Sequence, residues 1–415
     1  MADRSTLLAG VRILDLSTFL SGPFCTQLLG DLGAEVIKVE PPDGDQTRYL
    51  PPYFVGDDSV YYLSVNRNKR SIVIDLKTSK GRELLLDLAK KSDVLIENFR
   101  PGVLDRLWMT ADKVLAQCPR LVWASISGFG QDGPYREYPA YDMIVQALSG
   151  GMSLTGERTG RPVRAGIPIG DLGAGLYSAV GLLAALLSRG SGDNGRKIDI
   201  SMLDCQVAML CYQAAYYLHS AVVPRPQGRE HESIPTYNTF QTSDHDVVIT
   251  ANTEKMWASL CEVLDLSSVA QDPRFASNAD RHRNRDALIP LLQRAFATKP
   301  AHHWVSALRA ANVPVAVVNT LDLALTDPQV VHRRMVSRIV ADDGRSIGVA
   351  GNPIKAEIGL IADRFPPRLG EHTRQVLREL LTLDDEVIES LLKQGVVAES
   401  RARDEDLAEP YRKPS

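Results

Sequence analysis

The first half of the chain alternates short apolar runs, rich in β-branched residues, with amphipathic stretches. The runs read VRILDLS, EVIKVE, SIVIDL, DVLIEN and LVWASIS, and the stretches between them include residues 24–32 and GRELLLDLAKK. Such alternation is typical of a largely parallel sheet covered by helices. We therefore predict an α/β fold, and we expect ligands at the edge of the sheet where the strands end.

The second half starts with the same pattern and then departs from it. Leu172–Leu187 and Leu203–His219 are apolar enough to predict two buried helices. The stretch 221–236 is polar and interrupted by prolines, which is typical of a linker. Beyond it, the runs DVVITA and VPVAVVN and several helices rich in Arg and Asn predict a smaller α+β domain.

These observations divide the chain into five predicted segments. They are the amino-terminal part of a large domain (1–220), a linker (221–236), a small domain (237–330), a segment returning to the large domain (331–397) and a charged tail (398–415).

Composition excludes several classes of protein. The chain is 44% apolar, and its 47 basic and 51 acidic residues leave a net charge of −4. These values are ordinary for a globular protein. No basic stretch studded with aromatic residues is present, so we predict no nucleic-acid partner. The five cysteines lack CxxC spacing, which favours a reducing compartment over a disulfide framework.

The amino terminus, MADRSTLLAG, lacks the charged-then-apolar pattern of a secretory signal. The longest apolar stretches fall short of the roughly 20 residues that span a bilayer. We therefore predict a cytoplasmic protein with no membrane partner.

All eight histidines lie beyond residue 218, so the predicted sheet domain has none before that point. A Ser-His-Asp site built wholly within it is therefore excluded, and the chain contains no GxSxG or HExxH motif. His302 and His303 are adjacent and read as a solvated helix start. We predict no metal site.

Gly128–Gly133 formally matches GxGxxG and follows a predicted strand. A dinucleotide site needs these glycines to run directly into a helix whose amino terminus holds the pyrophosphate. Pro134 and Pro139 interrupt that path, so the pattern predicts a loop and no nicotinamide or flavin site.

Asp171 lies in the segment GDLGAG, immediately before the first long apolar helix. The simplest interpretation is an N-cap, in which the carboxylate accepts hydrogen bonds from the first backbone amides. A functional interpretation is also open, because a helix amino terminus keeps a carboxylate ionised and flanking glycines let a bulky substrate approach. Free amides at the same turn could stabilise an oxyanion.

Two basic segments are candidates for phosphate binding. Asn66–Arg70 is a compact cluster followed by Lys77, for which solvated surface charge is the plain alternative. Glu97–Gly102 lies just past a predicted strand, and Arg106 follows it. Arg and Lys beside such a loop suit phosphate groups.

Taken in order, the motifs of this chain resemble those of the class III CoA-transferases, which include formyl-CoA, carnitine and dicarboxylate CoA-transferases. The resemblance runs nearly end to end through SGPFCTQLLGDLGAEVIKVEPPDGD, NRNKRSIVIDLK, ENFRPG, SGFGQDGPY, GDLGAG and LGEHT. It implies a Rossmann-like parallel-sheet large domain plus a smaller α+β domain, in a ring-like chain that interlocks with a second copy as a homodimer.

The resemblance also implies a catalytic role for Asp171, which would attack an acyl-CoA to give a mixed anhydride and then an aspartyl-CoA thioester. Coenzyme A thioesters are then substrates, and no tightly bound cofactor or metal is needed. Other family positions fall on named residues: those that contact coenzyme A on Ile74, Lys77, Asn98, Phe99 and Arg106, and those that border the reaction centre on Tyr141, Asp142 and Leu20.

Two departures from the family bear on activity. Leu20 stands where formyl-CoA transferases carry a glutamine, and their glycine-rich loop in the small domain is not evident, so acceptors other than oxalate, such as a dicarboxylate served by succinyl-CoA, are favoured. The related alpha-methylacyl-CoA racemases use a histidine-aspartate pair, whereas this chain has Tyr141-Asp142. A racemase-like isomerase and a non-catalytic CoA-binding protein remain the alternatives to a transferase.

Overall fold

A computed structural model describes residues 6–190, 194–356 and 363–400 of the chain. Its strands, in chain order, are β1 (Arg12–Asp15), β2 (Glu35–Glu40), β3 (Phe54–Val55), β4 (Asp58–Ser59), β5 (Lys69–Ile74), β6 (Val94–Glu97), β7 (Val122–Ser127), β8 (Lys197–Ser201), β9 (Tyr237–Gln241), β10 (Asp246–Thr250), β11 (Val315–Val317), β12 (Val336–Val340), β13 (Ser346–Ala350) and β14 (Val397–Ala398).

The α-helices, in chain order, are α1 (Ser21–Asp31), α2 (Val60–Ser64), α3 (Ser79–Ala89), α4 (Val103–Arg106), α5 (Ala111–Gln117), α6 (Asp142–Leu148), α7 (Gly151–Leu154), α8 (Ile169–Gly190), α9 (Met202–Met209), α10 (Tyr212–Ser220), α11 (Glu254–Val263), α12 (Ser267–Ala270), α13 (Asn278–Arg283), α14 (Arg285–Phe296), α15 (Ala301–Ala310), α16 (Leu321–Thr326), α17 (Pro328–His332), α18 (Thr373–Leu381) and α19 (Asp385–Lys393). Short 3₁₀ turns cover Gln46–Tyr49 and Pro273–Phe275.

The chain folds into two compact units. The first combines residues 1–149, 166–211 and 334–415, and the second combines 150–165 and 212–333. The stretch 221–236 therefore belongs to the second unit.

The first unit is built on a seven-stranded sheet in the order β14-β5-β2-β1-β6-β7-β8. All neighbouring pairs in it are parallel except β14 with β5. The predicted parallel α/β sheet is thus confirmed. Because β2 lies on one side of β1 and β6 on the other, the strand order reverses direction between β1 and β6, and a crevice at the strand ends is expected there.

Two apolar layers cover this sheet. One face buries Leu14, Ile72 and Leu95 against α3, α5, α18 and α19. The other face buries Ile13, Val94 and Val122 against α1, α8 and α9. Successive strand residues point to opposite faces, so β1 contributes Ile13 to one layer and Leu14 to the other. This doubly covered sheet fixes the loops at the carboxyl ends of its strands.

The second unit contains an antiparallel sheet in the order β11-β10-β9. Its core packs Phe240 and Ile249 of the strands against the buried faces of α11, α14 and α15, with Phe296 stacked on Phe240 at a centroid distance of 4.8 Å.

The interpretation of the basic cluster Asn66–Arg70 as solvated surface charge was wrong. Asn66, Arg67 and Lys69 are buried. Arg67 Nη2 lies 2.6 Å from an Asp31 carboxylate oxygen, and Lys69 Nζ lies 3.0 Å from one of Asp15. Buried charges need such partners, and their presence leaves this cluster paired within the protein.

The prediction of one buried helix over Leu203–His219 was wrong in two respects. The segment forms two helices, α9 and α10, separated by Cys211 in the left-handed region at φ 49°. Within the second unit α10 buries none of its residues, and it exposes Tyr212, Tyr216 and Leu218. An apolar sequence alone does not say which surface covers it.

Helix α8 is longer than predicted and, over Ile169–Arg189, long and apolar enough by length and composition to cross a membrane. The expectation that no apolar stretch reaches that length was therefore wrong. One face of it packs on the sheet domain, against α1, β7 and β8, and Ala174, Ser178 and Leu182 on that face are buried.

Candidate active site

The loops after β1 and β6 meet where the sheet order reverses, at the place where a crevice is expected. The backbone amide of Thr18 donates to the side-chain oxygen of Asn98 over 2.8 Å, and the Asn98 amide donates back to the Thr18 carbonyl over 2.7 Å. The same amide lies 3.3 Å from the Ser21 hydroxyl. Asn98, predicted to contact coenzyme A, thus fixes the segment that leads into α1.

Two buried lysines hold the ends of that segment. Lys38 Nζ donates to the Ser17 carbonyl over 2.8 Å, and Lys69 Nζ donates to the Pro23 carbonyl over 3.0 Å. Burial lowers the pKa of Lys69 to about 8, although Asp15 opposes the shift. Because both ends of the segment are held by buried groups, its position relative to the sheet is well defined.

Asp171 reaches this crevice from the first turn of α8. Its carboxylate accepts a hydrogen bond from the Ser21 side chain. Phe19, on the same segment, packs edge-on against Tyr141, with ring centroids 5.9 Å apart. Asp171, Tyr141 and the start of α1 therefore share one site, and Leu20, predicted to border it, lies between Phe19 and Ser21 in the sequence and is 8% exposed.

Asp171 is not the N-cap that its position in the sequence suggested. It is the third residue of α8, and the cap role is filled by Asp142. The Asp142 carboxylate accepts hydrogen bonds from the amides of Gly170 over 2.7 Å and Asp171 over 3.4 Å. Gln146 donates to its other oxygen over 2.7 Å.

The backbone amides of this turn therefore already donate hydrogen bonds. Asp142 accepts those of Gly170 and Asp171, and the next one, of Leu172, donates to the Pro168 carbonyl over 3.0 Å. The expectation that free amides here could hold an oxyanion is thus wrong for this structure, because each of these donors already has a partner.

The expectation that the helix terminus keeps Asp171 ionised was also wrong. Burial and, second, the negative charge of Asp142 raise the pKa of Asp171 to about 7, against a lowering by Ser21. Burial disfavours a charged carboxylate, and a like charge nearby disfavours it further. A carboxyl group poised near neutral pH in a crevice is typical of a functional site.

Ser21 and Tyr61 belong to this site, and the sequence analysis missed both. Burial, followed by the charges of Asp171, Asp45 and Asp142, raises the pKa of Tyr61 to about 12. Tyr61 lies on α2, far from Asp171 in sequence, so no local pattern connects the two. Ser21 could have been found as the residue after Leu20 in a helix-start motif.

The residues predicted to contact coenzyme A lie at the end of β5, in the loops after β5 and β6, and at the end of α4. Lys77 and Arg106 are exposed, and Phe99 is half-buried. Ile74 is fully buried in the sheet and paired with Val397 of β14. These five positions share the carboxyl edge of the sheet, where Lys77 and Arg106 have accessible charge, whereas the Ile74 side chain belongs to the core.

The Gly128–Gly133 loop does not lead into a helix. Gly130 and Gly133 adopt positive φ values of 93° and 83°, and the next helix, α6, starts at Asp142. Among the described residues, no group of three or more His, Cys, Asp or Glu side chains is placed to hold a metal ion.

Comparison with known proteins yields consistent matches. The sequence pattern of CoA-transferase family III matches residues 8–373. Human succinyl-CoA:glutarate CoA-transferase is 38% identical over 392 residues, covering 94% of this chain and 90% of that protein. The acetyl-CoA:oxalate CoA-transferase of Acetobacter aceti is 40% identical over 348 residues, covering 83% of this chain and 88% of that protein. The crystal structure of a CaiB/BaiF family protein from Brucella suis gives a TM-score of 0.80 at 34% identity, covering 92% of this chain and 100% of that one.

Proposed function

This chain belongs to CoA-transferase family III, and from that membership we propose that it moves coenzyme A from a dicarboxylic acyl-CoA to a free dicarboxylic acid through covalent intermediates on Asp171. Relatives that cover most of the chain are CoA-transferases, so transferase activity itself is the premise. What we propose is the identity of the donor and acceptor acids and the covalent chemistry on Asp171.

One observation carries the proposed chemistry: the Asp171 carboxyl group is buried where the sheet order reverses, accepts a hydrogen bond from Ser21 and has the negative charge of Asp142 beside it. A structural carboxylate in a buried position is normally paired with a cation. A buried carboxylate held next to a second carboxylate lowers stability, and such groups are typical of functional sites. A carboxylate nucleophile needs freedom from an ion pair, because such a pair would reduce its reactivity.

The proposed reaction balances without ATP or metal. An Asp171 oxygen attacks the donor thioester carbonyl, the carbon–sulfur bond breaks, and coenzyme A leaves as a thiolate. The thiolate then attacks the aspartyl carbonyl of the mixed anhydride, which releases the donor acid and leaves an aspartyl-CoA thioester. The acceptor carboxylate repeats these two steps in reverse order. The energy of the thioester is kept if water is excluded from the anhydride.

The racemase-like alternative has less support. It requires a histidine beside the aspartate for proton transfer, and the residue before Asp142 is Tyr141. Asp142 itself is engaged by Gly170 and Gln146.

The ionisation of Asp171 predicts how the activity depends on pH. Because only the carboxylate attacks, kcat/KM for the acyl-CoA donor should rise with pH through an apparent pKa of about 7. Asp142→Asn removes the neighbouring negative charge but keeps an oxygen to accept from Gly170, so the pKa of Asp171 should fall and the rise should move to lower pH. The shift should be partial, since burial is the larger cause. Steady-state kinetics from pH 5.5 to 8.5 measure it, and an unchanged midpoint would contradict the assignment.

The choice of acids rests on Leu20, which is buried at 8% exposure beside Ser21. The similar proteins named above act on glutarate and on oxalate, so similarity alone does not decide which acid this protein uses. An apolar side chain cannot hydrogen-bond a small dianion, and a missing contact costs about 1–3 kcal/mol, or roughly tenfold to more than a hundredfold in selectivity.

We therefore expect succinyl-CoA or another longer acyl donor to exceed formyl-CoA with oxalate by at least about tenfold in kcat/KM. A panel of acyl-CoA donors against free acids, read by chromatography of the product thioester, measures this. Leu20→Gln is the matched variant, and it should reduce the difference in kcat/KM between succinyl-CoA and formyl-CoA with oxalate. The proposal on substrates fails if formyl-CoA and oxalate give the highest value with the unaltered protein.

The proposal includes a homodimer, which the family resemblance implies. The outer face of α8 exposes Leu176, Val180 and Leu187, and an apolar face of this kind on one protomer is typical of a surface covered by a partner. The native mass in solution measures the assembly state.

A further inference from the structure

Ser21 lies between two side chains of the candidate active site, those of Asn98 and Asp171. Its hydroxyl accepts a hydrogen bond from the Asn98 amide nitrogen over 3.3 Å and donates one to the Asp171 carboxylate. A serine hydroxyl carries a single hydrogen, and the amide nitrogen of asparagine can only donate. The one hydrogen of Ser21 is therefore directed at Asp171. The two bonds run in the same direction, so each polarises and strengthens the other.

The close packing of α1 on α8 fixes this arrangement. Gly175 lies one turn after Asp171, on the same face of α8. A Cβ atom at Gly175 would lie 2.7 Å from the Ser21 carbonyl oxygen and 2.9 Å from a ring carbon of Phe24. Because glycine has no side chain, the start of α1 can approach α8 this closely. Ser21 is 3% exposed, so its hydrogen bond to Asp171 is shielded from water.

The proposed covalent steps give the two carboxylate oxygens of Asp171 different fates. The oxygen that attacks the donor becomes the bridging oxygen of the mixed anhydride, and the other becomes the carbonyl oxygen of the aspartyl group. When the thiolate attacks this aspartyl carbonyl carbon, the second oxygen carries the negative charge until the donor acid leaves. The acceptor carboxylate later attacks the same carbon of the aspartyl-CoA thioester, and the same oxygen carries the charge again.

We infer that Ser21 is a catalytic residue, whose hydroxyl stays bonded to the non-attacking oxygen of Asp171 and stabilises the oxyanion that forms on it in these two steps. In each step the electron pair of the nucleophile forms the new bond to carbon, and the π pair of the carbonyl moves onto the oxygen bonded to Ser21. That pair returns as the leaving group departs with the electrons of its own bond, so Ser21 keeps its proton. A donor already aimed at the oxygen where charge develops lowers the barrier.

The inference rests on the proposed function, because it takes Asp171 as the covalent nucleophile. It also answers a question that the backbone leaves open. The amides of Gly170, Asp171 and Leu172 already donate to other acceptors, so the turn that carries Asp171 has no amide to offer this oxyanion. The Ser21 hydroxyl is a donor that is already in contact with the reacting group.

Ser21→Ala removes the donor and leaves the rest of the side chain in place. We expect kcat for transfer from the preferred acyl-CoA donor to its acceptor acid to fall on the order of 10²-fold, as when one oxyanion donor is removed. Ser21→Cys keeps a weaker donor and should give an intermediate kcat. Ser178→Ala is the matched control, because Ser178 is fully buried on α8 and its hydroxyl has no hydrogen-bond partner among the described residues. Its kcat should equal that of the unaltered protein.

The intermediates separate a catalytic role of Ser21 from a structural one. Mixed with the donor alone and quenched in acid within one turnover, the unaltered protein should hold most of the cleaved coenzyme A covalently, as aspartyl-CoA. Ser21→Ala should cleave the donor at a similar rate, since the first attack places no new charge on the oxygen bonded to Ser21. Its coenzyme A should then appear mostly free, because the thiolate returns slowly. Chromatography of intact donor, free coenzyme A and protein-bound coenzyme A measures the three amounts.

An unchanged kcat in Ser21→Ala would overturn the inference. A lower kcat with the same share of protein-bound coenzyme A would also overturn it, because that result indicates a structural role. The proposed function fails in a different way, if the unaltered protein holds no covalent coenzyme A or if Asp171→Asn holds as much. The covalent intermediate of the unaltered protein therefore tests the proposed function, and its share in Ser21→Ala tests the inference.

Discussion

Replacing Asp171 by Asn should abolish transfer while making the protein more stable. The amide has nearly the shape of the carboxyl group but cannot form the mixed anhydride, so kcat should fall on the order of 10³-fold or more, as when a covalent nucleophile is removed. Burial and the charge of Asp142 raise the pKa of Asp171 to about 7, which means that the ionised form is unfavourable in the folded protein.

The stability change has a definite pH dependence. A carboxyl group whose pKa is higher in the folded state binds its proton more tightly there than in the unfolded chain, so stability falls as pH rises from about 4 to 7. Asp171→Asn removes that fall. Denaturant unfolding at pH 5 and pH 8 should therefore show a larger gain for the variant at pH 8.

Asp204 offers a matched control within the same unit. It is the third residue of α9, as Asp171 is of α8, but it is exposed. Asp204→Asn should leave turnover near normal. A carboxylate that mattered only for its position in a helix would give the same result at both sites, and near-normal turnover of a folded Asp171→Asn protein would reject the covalent mechanism.

The sequence predicted those features that depend on neighbours in the chain. Strands such as Glu35–Glu40 have a local apolar signature, and their parallel pairing follows from the helices between them. Asp171 was placed at the start of the right helix for the same reason. The prediction that Asp171 caps the helix was wrong because the cap comes from Asp142, 29 residues earlier in the chain.

The errors at Asn66–Arg70 and Tyr61 also come from partners that are distant in the sequence. Asn66–Arg70 looks solvated when read alone, and it is buried because Asp15 and Asp31, on distant segments, neutralise it. The charge of Asp171 raises the pKa of Tyr61, although the two residues are far apart in the sequence. Long-range pairing of polar groups leaves no periodic signal in the sequence, and a functional crevice depends on that kind of pairing.

The most destructive change away from the crevice should be Arg48→Met. Arg48, 1% exposed, donates to both Glu40 carboxylate oxygens over 2.7 and 2.8 Å and to Asp58 over 2.7 Å. Its guanidinium also lies 3.7 Å over the ring of Tyr62. Removing it leaves two buried carboxylates without this cation, and breaking a buried pair costs about 3–5 kcal/mol of unfolding free energy.

The pH dependence of the stability lost in Arg48→Met shows whether the pairing with Glu40 is the cause. Although burial opposes it, Arg48 lowers the pKa of Glu40 below its usual value of 4.5. The stability that this pairing provides is therefore present above that value and is lost as pH falls through the lower, folded pKa. The penalty of Arg48→Met should accordingly shrink in acid, where Glu40 can take up a proton, and urea unfolding at pH 7 and pH 4 measures the difference.

A double variant and a surface variant complete the test. Arg48→Met with Glu40→Gln removes one stranded charge and should recover part of the lost stability, since Gln can still accept from Ser71, which donates to Glu40 over 2.6 Å. Arg378→Met breaks an exposed ion pair with Asp385 on the same unit and should have little effect. If Arg48→Met is no more damaging than Arg378→Met, or its penalty is the same at both pH values, the buried pairing does not stabilise the sheet edge that carries the active-site loops.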